Sequence, residues 1–236
     1  MRSGRSGVPS SNEVGRGRLA WLAVALLLSL PAWWLGAGRG SGAAVGGWVG
    51  LVAAAMPRAQ ALSAGLLAWD GAQWLSQPWR LWSAAWVHLS GLHLLANLLG
   101  VVLVAGLGWV AAPGPRAAWA WAASWPLTHL GLALRPELMS YGGLSGVLHA
   151  GVAVVVVSTL ADPRDRASRL IATLLGLGLL AKVMLERPWA RLLSHPEGWD
   201  IAVVPWAHAS GAVCGMACAL LLLVLPTRWA GRPGAG

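Results

Sequence analysis

Gly143-Leu144-Ser145-Gly146 opens an almost uncharged run that stays apolar as far as Leu160. A serine between small residues is ordinary in a soluble loop. At the depth of a lipid bilayer it is costly unless it faces a cavity or a partner. Composition decides between these settings. Hydrophobic residues make up 57% of the chain and charged residues 11%, against roughly 25% charged in a soluble domain. With 17 Trp and no long polar stretch, the chain reads as a polytopic membrane protein.

Working outward from Ser145, apolar runs of spanning length, about 20 residues, lie at roughly 19–37, 91–111, 117–134, 141–161, 169–186 and 204–225. The expected fold is therefore an all-α membrane protein, a six-transmembrane-helix bundle. Ala43 to Met56 is apolar but too short to span, and Pro57-Arg58 ends it. It reads as a re-entrant or interfacial piece of a long first loop.

A formal charge of +9 raises nucleic acid as a partner. The arginines are scattered through short connections and form no stripe, so no nucleic acid is expected and the bilayer is the partner they fit. With six spans and both termini inside, the cytoplasmic side receives Arg2, Arg5, Arg16, Arg18, Arg116, Arg164, Arg166, Arg169, Arg228 and Arg232. The outer side receives Arg39, Arg58, Arg80, Arg135, Lys182, Arg187 and Arg191. The organisation expected is a basic cytoplasmic tail over 1–18, a helical domain over 19–225 and a short cytoplasmic tail over 226–236. Arginines followed by Leu19–Trp34 also look like a secretory signal peptide, but an uncleaved first helix is the expectation. Cys214 and Cys218 share a helix face and need no disulfide.

Polar residues concentrate in three of the runs. His93 and Asn97 are four apart and project from one helix face. They could simply hold the bundle together by interhelical hydrogen bonds. The functional reading is that they donate to a developing oxyanion, alongside the Ser145 amide, which the first helical turn leaves unpaired. In the last run, His208 is the candidate base for Ser145, with an ordinary pKa near 6.5. Gly211 and Gly215 would let that helix pack closely, and Gly143 and Gly146 would do the same around the serine. Those two glycine faces are expected to meet. No Asp or Glu is evident near His208, and the nearest acid along the chain is Asp200. His149, four residues after Ser145 on the same face, is an alternative base. His129 and His195 stand in no motif and read as incidental. No metal is expected, because the histidines lack the His-x3-His arrangement with its glutamate.

Together these residues resemble the rhomboid intramembrane serine proteases, from about Trp79 to Leu225 and in the family's order. Trp79-Arg80 is similar to the Trp-Arg pair of the first loop. His88, His93 and Asn97 match His-x4-His-x3-Asn, Gly143 to Gly146 match Gly-x-Ser-Gly, and His208, Gly211 and Gly215 match His-x2-Gly-x3-Gly. The resemblance implies Ser145 as nucleophile, His208 as general base, and His93 and Asn97 as oxyanion donors, with no cofactor. It implies that Trp79 and Arg80 brace the first loop. Many rhomboids carry a tyrosine four residues after the serine, stacked on the histidine; this chain has His149. A serine motif followed by Leu148-His149, and the run Val203 to His208, are similar to the rhombosortase branch of bacterial rhomboids. That branch implies a multi-pass protein of the bacterial inner membrane, with membrane-anchored substrates bearing a C-terminal Gly-Gly sorting segment. The apolar first loop, Gly40 to Leu75, departs from the pattern. The alternatives are an inactive rhomboid-like protein that binds membrane helices, and a small transporter. The chain lacks the internal repeats and intramembrane charges that would favour the transporter.

Overall fold

The computed structural model describes residues 11–36 and 65–224. Among them are six long helices: α1 (Ser11–Gly36), α2 (Gly91–Ala111), α3 (Pro115–Leu130), α4 (Ser145–Ala161), α5 (Arg166–Glu186) and α6 (Pro205–Val224). The stretch Ala43–Met56 and both chain ends lie outside the described residues.

Local chemistry sets most of the boundaries. Ser90 caps α2 by accepting from the His93 amide at 3.0 Å. Asp165 caps α5 by accepting from the Ser168 amide at 2.7 Å, which holds its carboxyl below the usual range. Pro115 and Pro205 open α3 and α6, where the missing N–H is no loss.

Two boundaries differ from the sequence expectation. Helix α1 is already helical at Ser11, well before the apolar run that begins near 19. A Cβ at Gly17 would lie 2.7 Å from Gly114 Cα, so this early turn packs on the α2–α3 connection, and Arg18 Nε donates to Trp109 O at 3.0 Å. Helix α4 starts at Ser145 rather than near 141. Ser140-Tyr141 (β2) instead pairs antiparallel with Trp69-Asp70 (β1).

By length and composition α1, α2, α5 and α6 are long and apolar enough to cross a membrane. Helix α4 is apolar but shorter, at 17 residues, and α3 has 16. Helix α4 is central, packing against α2, α3, α5 and α6, with Val147, Ala150 and Val154 wholly buried. Helix α1 packs on α2 and α3. Helix α5 is peripheral, and Ala172 and Val183 are its buried residues.

One device recurs where helices meet. The Trp21 indole donates to Val104 O at 3.0 Å, and a Cβ on Gly108 would overlap that ring. The Trp121 indole donates to Val147 O at 2.9 Å, and a Cβ on Gly151 would lie 2.9 Å from its nitrogen. In each case a glycine four residues after the acceptor admits the ring to the helix backbone.

Candidate active site

The approach to Ser145 is made of two glycines that nothing larger can replace. A Cβ at Gly142 would meet Val87 O at 2.8 Å. Gly143 has φ +139°, which L side chains rarely adopt, and a Cβ there would lie 2.8 Å from the His93 ring. The chain then enters α4, with Ser145 as its first residue.

Helix α6 is pressed against this turn. A Cβ on Gly146 would lie 2.7 Å from Ala207 O, and one on Gly211 would fall inside the carbonyl of Gly146. The expected meeting of glycine faces therefore occurs at Gly146 and Gly211. Gly215 meets Ala150 instead, with a Cβ 2.6 Å from Ala150 Cα, and Gly143 turns towards His93 rather than α6. The close approach leaves His208, on the first turn of α6, with Nε2 2.9 Å from Ser145 Oγ.

The other ring nitrogen of His208 corrects the sequence reading. Its Nδ1 lies 2.6 Å from Glu186 Oε2, at the end of α5, while Glu186 Oε1 pairs with Lys182 one turn earlier. An acid is therefore present beside His208, and it is not Asp200, which accepts from Ser90 Oγ at 2.7 Å. Distance along the chain misled: residues 187–204 fold back, so the end of α5 lies beside the start of α6. A carboxylate can only accept. Nδ1 therefore carries the proton, and Nε2 presents its lone pair to the Ser145 hydroxyl.

His149 lies flat against His208, with ring centroids 4.3 Å apart and 10° between planes. Its Nδ1 donates to the Ser145 backbone carbonyl at 2.6 Å, not to the hydroxyl. Across the turn, His93 and Asn97 are buried and face Gly143. His93 Nδ1 accepts from the Leu89 amide at 3.4 Å, which leaves Nε2 as the N–H donor. Asn97 Nδ2 is buried and has no hydrogen-bond partner among the described residues. The His88 ring packs 4.8 Å from that of His93 and its Nδ1 donates to Trp86 O at 3.2 Å.

Trp79 and Arg80 sit at the foot of the first loop. Arg80 is buried, donating to Ala68 O and, at 2.7 Å, to Gly65 O and Gln77 Oε1. Trp79 Nε1 donates to Leu66 O at 3.1 Å. The pair ties residues 65–77 to the bundle.

Two residues near the site had no role in the sequence reading: Tyr141 was passed over, and His129 was read as incidental. Tyr141 OH donates to Gly143 O at 3.2 Å and stands 3.5 Å from Ser145 Oγ. His129 is wholly buried beside Tyr141, its Nδ1 donating to Leu81 O at 2.6 Å. As the one tyrosine of the chain, two residues ahead of Gly143, Tyr141 was the more findable. His195 is exposed in the loop before α6.

Apolar helices that hold a serine hydroxyl, an imidazole and a carboxylate in one hydrogen-bonded row define a membrane protein with the side-chain geometry of a serine hydrolase. Residues 75–225 match the model of the Rhomboid domain. The chain belongs to the rhomboid family, whose members are typically intramembrane serine proteases. No curated protein matches it.

Proposed function

We propose that the chain is an active rhomboid protease that cleaves membrane-anchored proteins, with Ser145 as nucleophile and His208 as general base. The observation that carries this reading is the 2.9 Å contact between Ser145 Oγ and His208 Nε2. As the serine oxygen attacks the scissile carbonyl carbon, its proton passes to Nε2. Negative charge moves to the carbonyl oxygen. Asn97 Nδ2, His93 Nε2–H and the Ser145 amide are the donors for that charge, and an unpartnered buried amide such as Asn97 Nδ2 gains most from an acceptor arriving in the reaction. Collapse of the tetrahedral intermediate returns the Nε2 proton to the leaving amine. Water then hydrolyses the acyl-enzyme by the same proton route.

The Leu148-His149 signature and the run Val203 to His208 favour the rhombosortase branch. The substrates would then be proteins with a C-terminal Gly-Gly sorting segment. All six helices span the bacterial inner membrane in this reading, both termini lie in the cytoplasm, and the site opens towards the outer face. The test is cleavage of a Gly-Gly-tailed reporter co-expressed with the protein or with Ser145→Ala. The expected result is loss of cleavage with membrane insertion intact. Cleavage that survives the substitution overturns the reading. A wild-type protein that takes no fluorophosphonate label at Ser145 is instead an inactive rhomboid-like binder.

A further inference from the structure

We infer that Glu186 is a positioning residue for His208, which makes the site a hydrogen-bonded Ser145–His208–Glu186 row clamped by Lys182. The inference rests on the hydrolase reading of Ser145 and His208. It deepens that reading by assigning a third side chain to the same site.

Four observations carry it. First, the row is continuous: Ser145 Oγ to His208 Nε2 is 2.9 Å, and His208 Nδ1 to Glu186 Oε2 is 2.6 Å. Second, the carboxylate is held at both ends, because Oε1 pairs with Lys182 while Oε2 faces the imidazole. Third, burial grades outward along the row. The His208 side chain is 6% exposed, Glu186 24% and Lys182 50%. The imidazole is thus the least accessible member of the row and the lysine the most accessible. Fourth, His149 covers one face of the His208 ring, so ring flipping is opposed by stacking on that face and by Glu186 at the edge.

The chemical consequence concerns where protons stand. An imidazole hydrogen-bonded only to a serine can carry its proton on either nitrogen, and only the Nδ1–H form can accept from Oγ. Glu186 accepts from Nδ1–H and so selects that form. When Nε2 takes the serine proton, the ring becomes an imidazolium, its Nδ1–H stays on nitrogen, and the carboxylate balances the new positive charge. Glu186 itself gains no proton at any step and touches no substrate atom.

A different role must be told apart from this one. Helix α5 buries little, so the Glu186–His208 bond could merely fasten its end to α6. The experiment compares the full-length protein in liposomes with Glu186→Gln, Glu186→Asp, Lys182→Met and Ser145→Ala. It measures the fluorophosphonate labelling rate at Ser145, kcat and KM on the reporter, and the melting temperature. Glutamine keeps the shape but can donate to Nδ1 and so select the wrong tautomer. In a hydrolase of this geometry that exchange costs about 10^4-fold in kcat, and a fall of about tenfold or more, with KM near wild type, is expected here. Aspartate restores part of the rate. Lys182→Met loses less than Glu186→Gln.

Wild-type labelling and kcat in Glu186→Gln, with Ser145→Ala inactive, would overturn the role of Glu186 and leave the hydrolase reading standing. So would equal losses in Glu186→Gln and Glu186→Asp that track a fallen melting temperature. Label uptake by Ser145→Ala equal to wild type would instead remove the hydrolase reading itself.

Discussion

Ser145 is held from three directions. Its hydroxyl meets His208 Nε2 and stands near Tyr141 OH, its carbonyl accepts from His149, and its approach is fixed by Gly143. These contacts predict different failures. Asn97→Ala removes a donor for the oxyanion, and kcat should fall by about 10^2–10^3 with little change in KM. Equal activity in that variant would take Asn97 out of the proposed mechanism. Tyr141→Phe removes a hydrogen bond to the Gly143 carbonyl and a neighbour of the hydroxyl. Such a bond contributes about 0.5–1.5 kcal/mol, so a modest loss of rate, without loss of the fluorophosphonate adduct, is the expected outcome. Gly143→Ala should be far worse than either. Its φ of +139° is strained for any Cβ, and that atom would strike the His93 ring. Gel filtration of Gly143→Ala in detergent should show misfolded protein rather than a folded, slow variant.

At the scale of elements, the site depends on how closely α4 and α6 approach. Backbone meets backbone where Gly146 and Gly211 cross, so Gly211→Val must either push the helices apart or distort them. Overpacking of this kind costs about 1–3 kcal/mol. Its thermal melt should shift down, and reporter cleavage should fall further than the stability loss explains, because His208 lies one turn from the contact. An unchanged melting temperature would contradict the packing. This level was partly legible beforehand. Gly146, Gly211, Ser145 and His208 stand at helical spacings that a reader can place on faces, and the six apolar runs correspond to six helices. Glu186 was not legible, although it closes a run already read as a helix. Its relation to His208 is created by the return of residues 187–204, and no periodicity encodes where a loop brings its ends. The start of α4 was misread for a related reason: Tyr141 was read into the apolar run, but pairing of Ser140-Tyr141 with Trp69-Asp70 claims it as strand.

For the whole molecule, charge is distributed by end. Arg18, Arg116 and Arg164 donate to carbonyls at the C-terminal ends of α2 and α6: Trp109 O at 3.0 Å, Leu222 O at 3.2 Å and Val110 O at 2.8 Å. All three lie at the end of the bundle away from Ser145. Under the proposed orientation that end is cytoplasmic. The check uses a background with Cys214 and Cys218 replaced by serine. A cysteine at Glu197 should react with an impermeant maleimide in intact spheroplasts, and one at Asp162 only after permeabilisation. The reverse pattern would invert the topology. The tryptophans that lock the bundle have an optical corollary. Trp21 and Trp121 stand 4.4 Å apart and tilted by 31°, close enough for their excited states to couple, in a chain with no Phe and a single Tyr. Near-ultraviolet circular dichroism should carry a split signal from this pair. The part of it that Trp21→Phe removes would report, without any label, the moment α1 parts from α3 during unfolding.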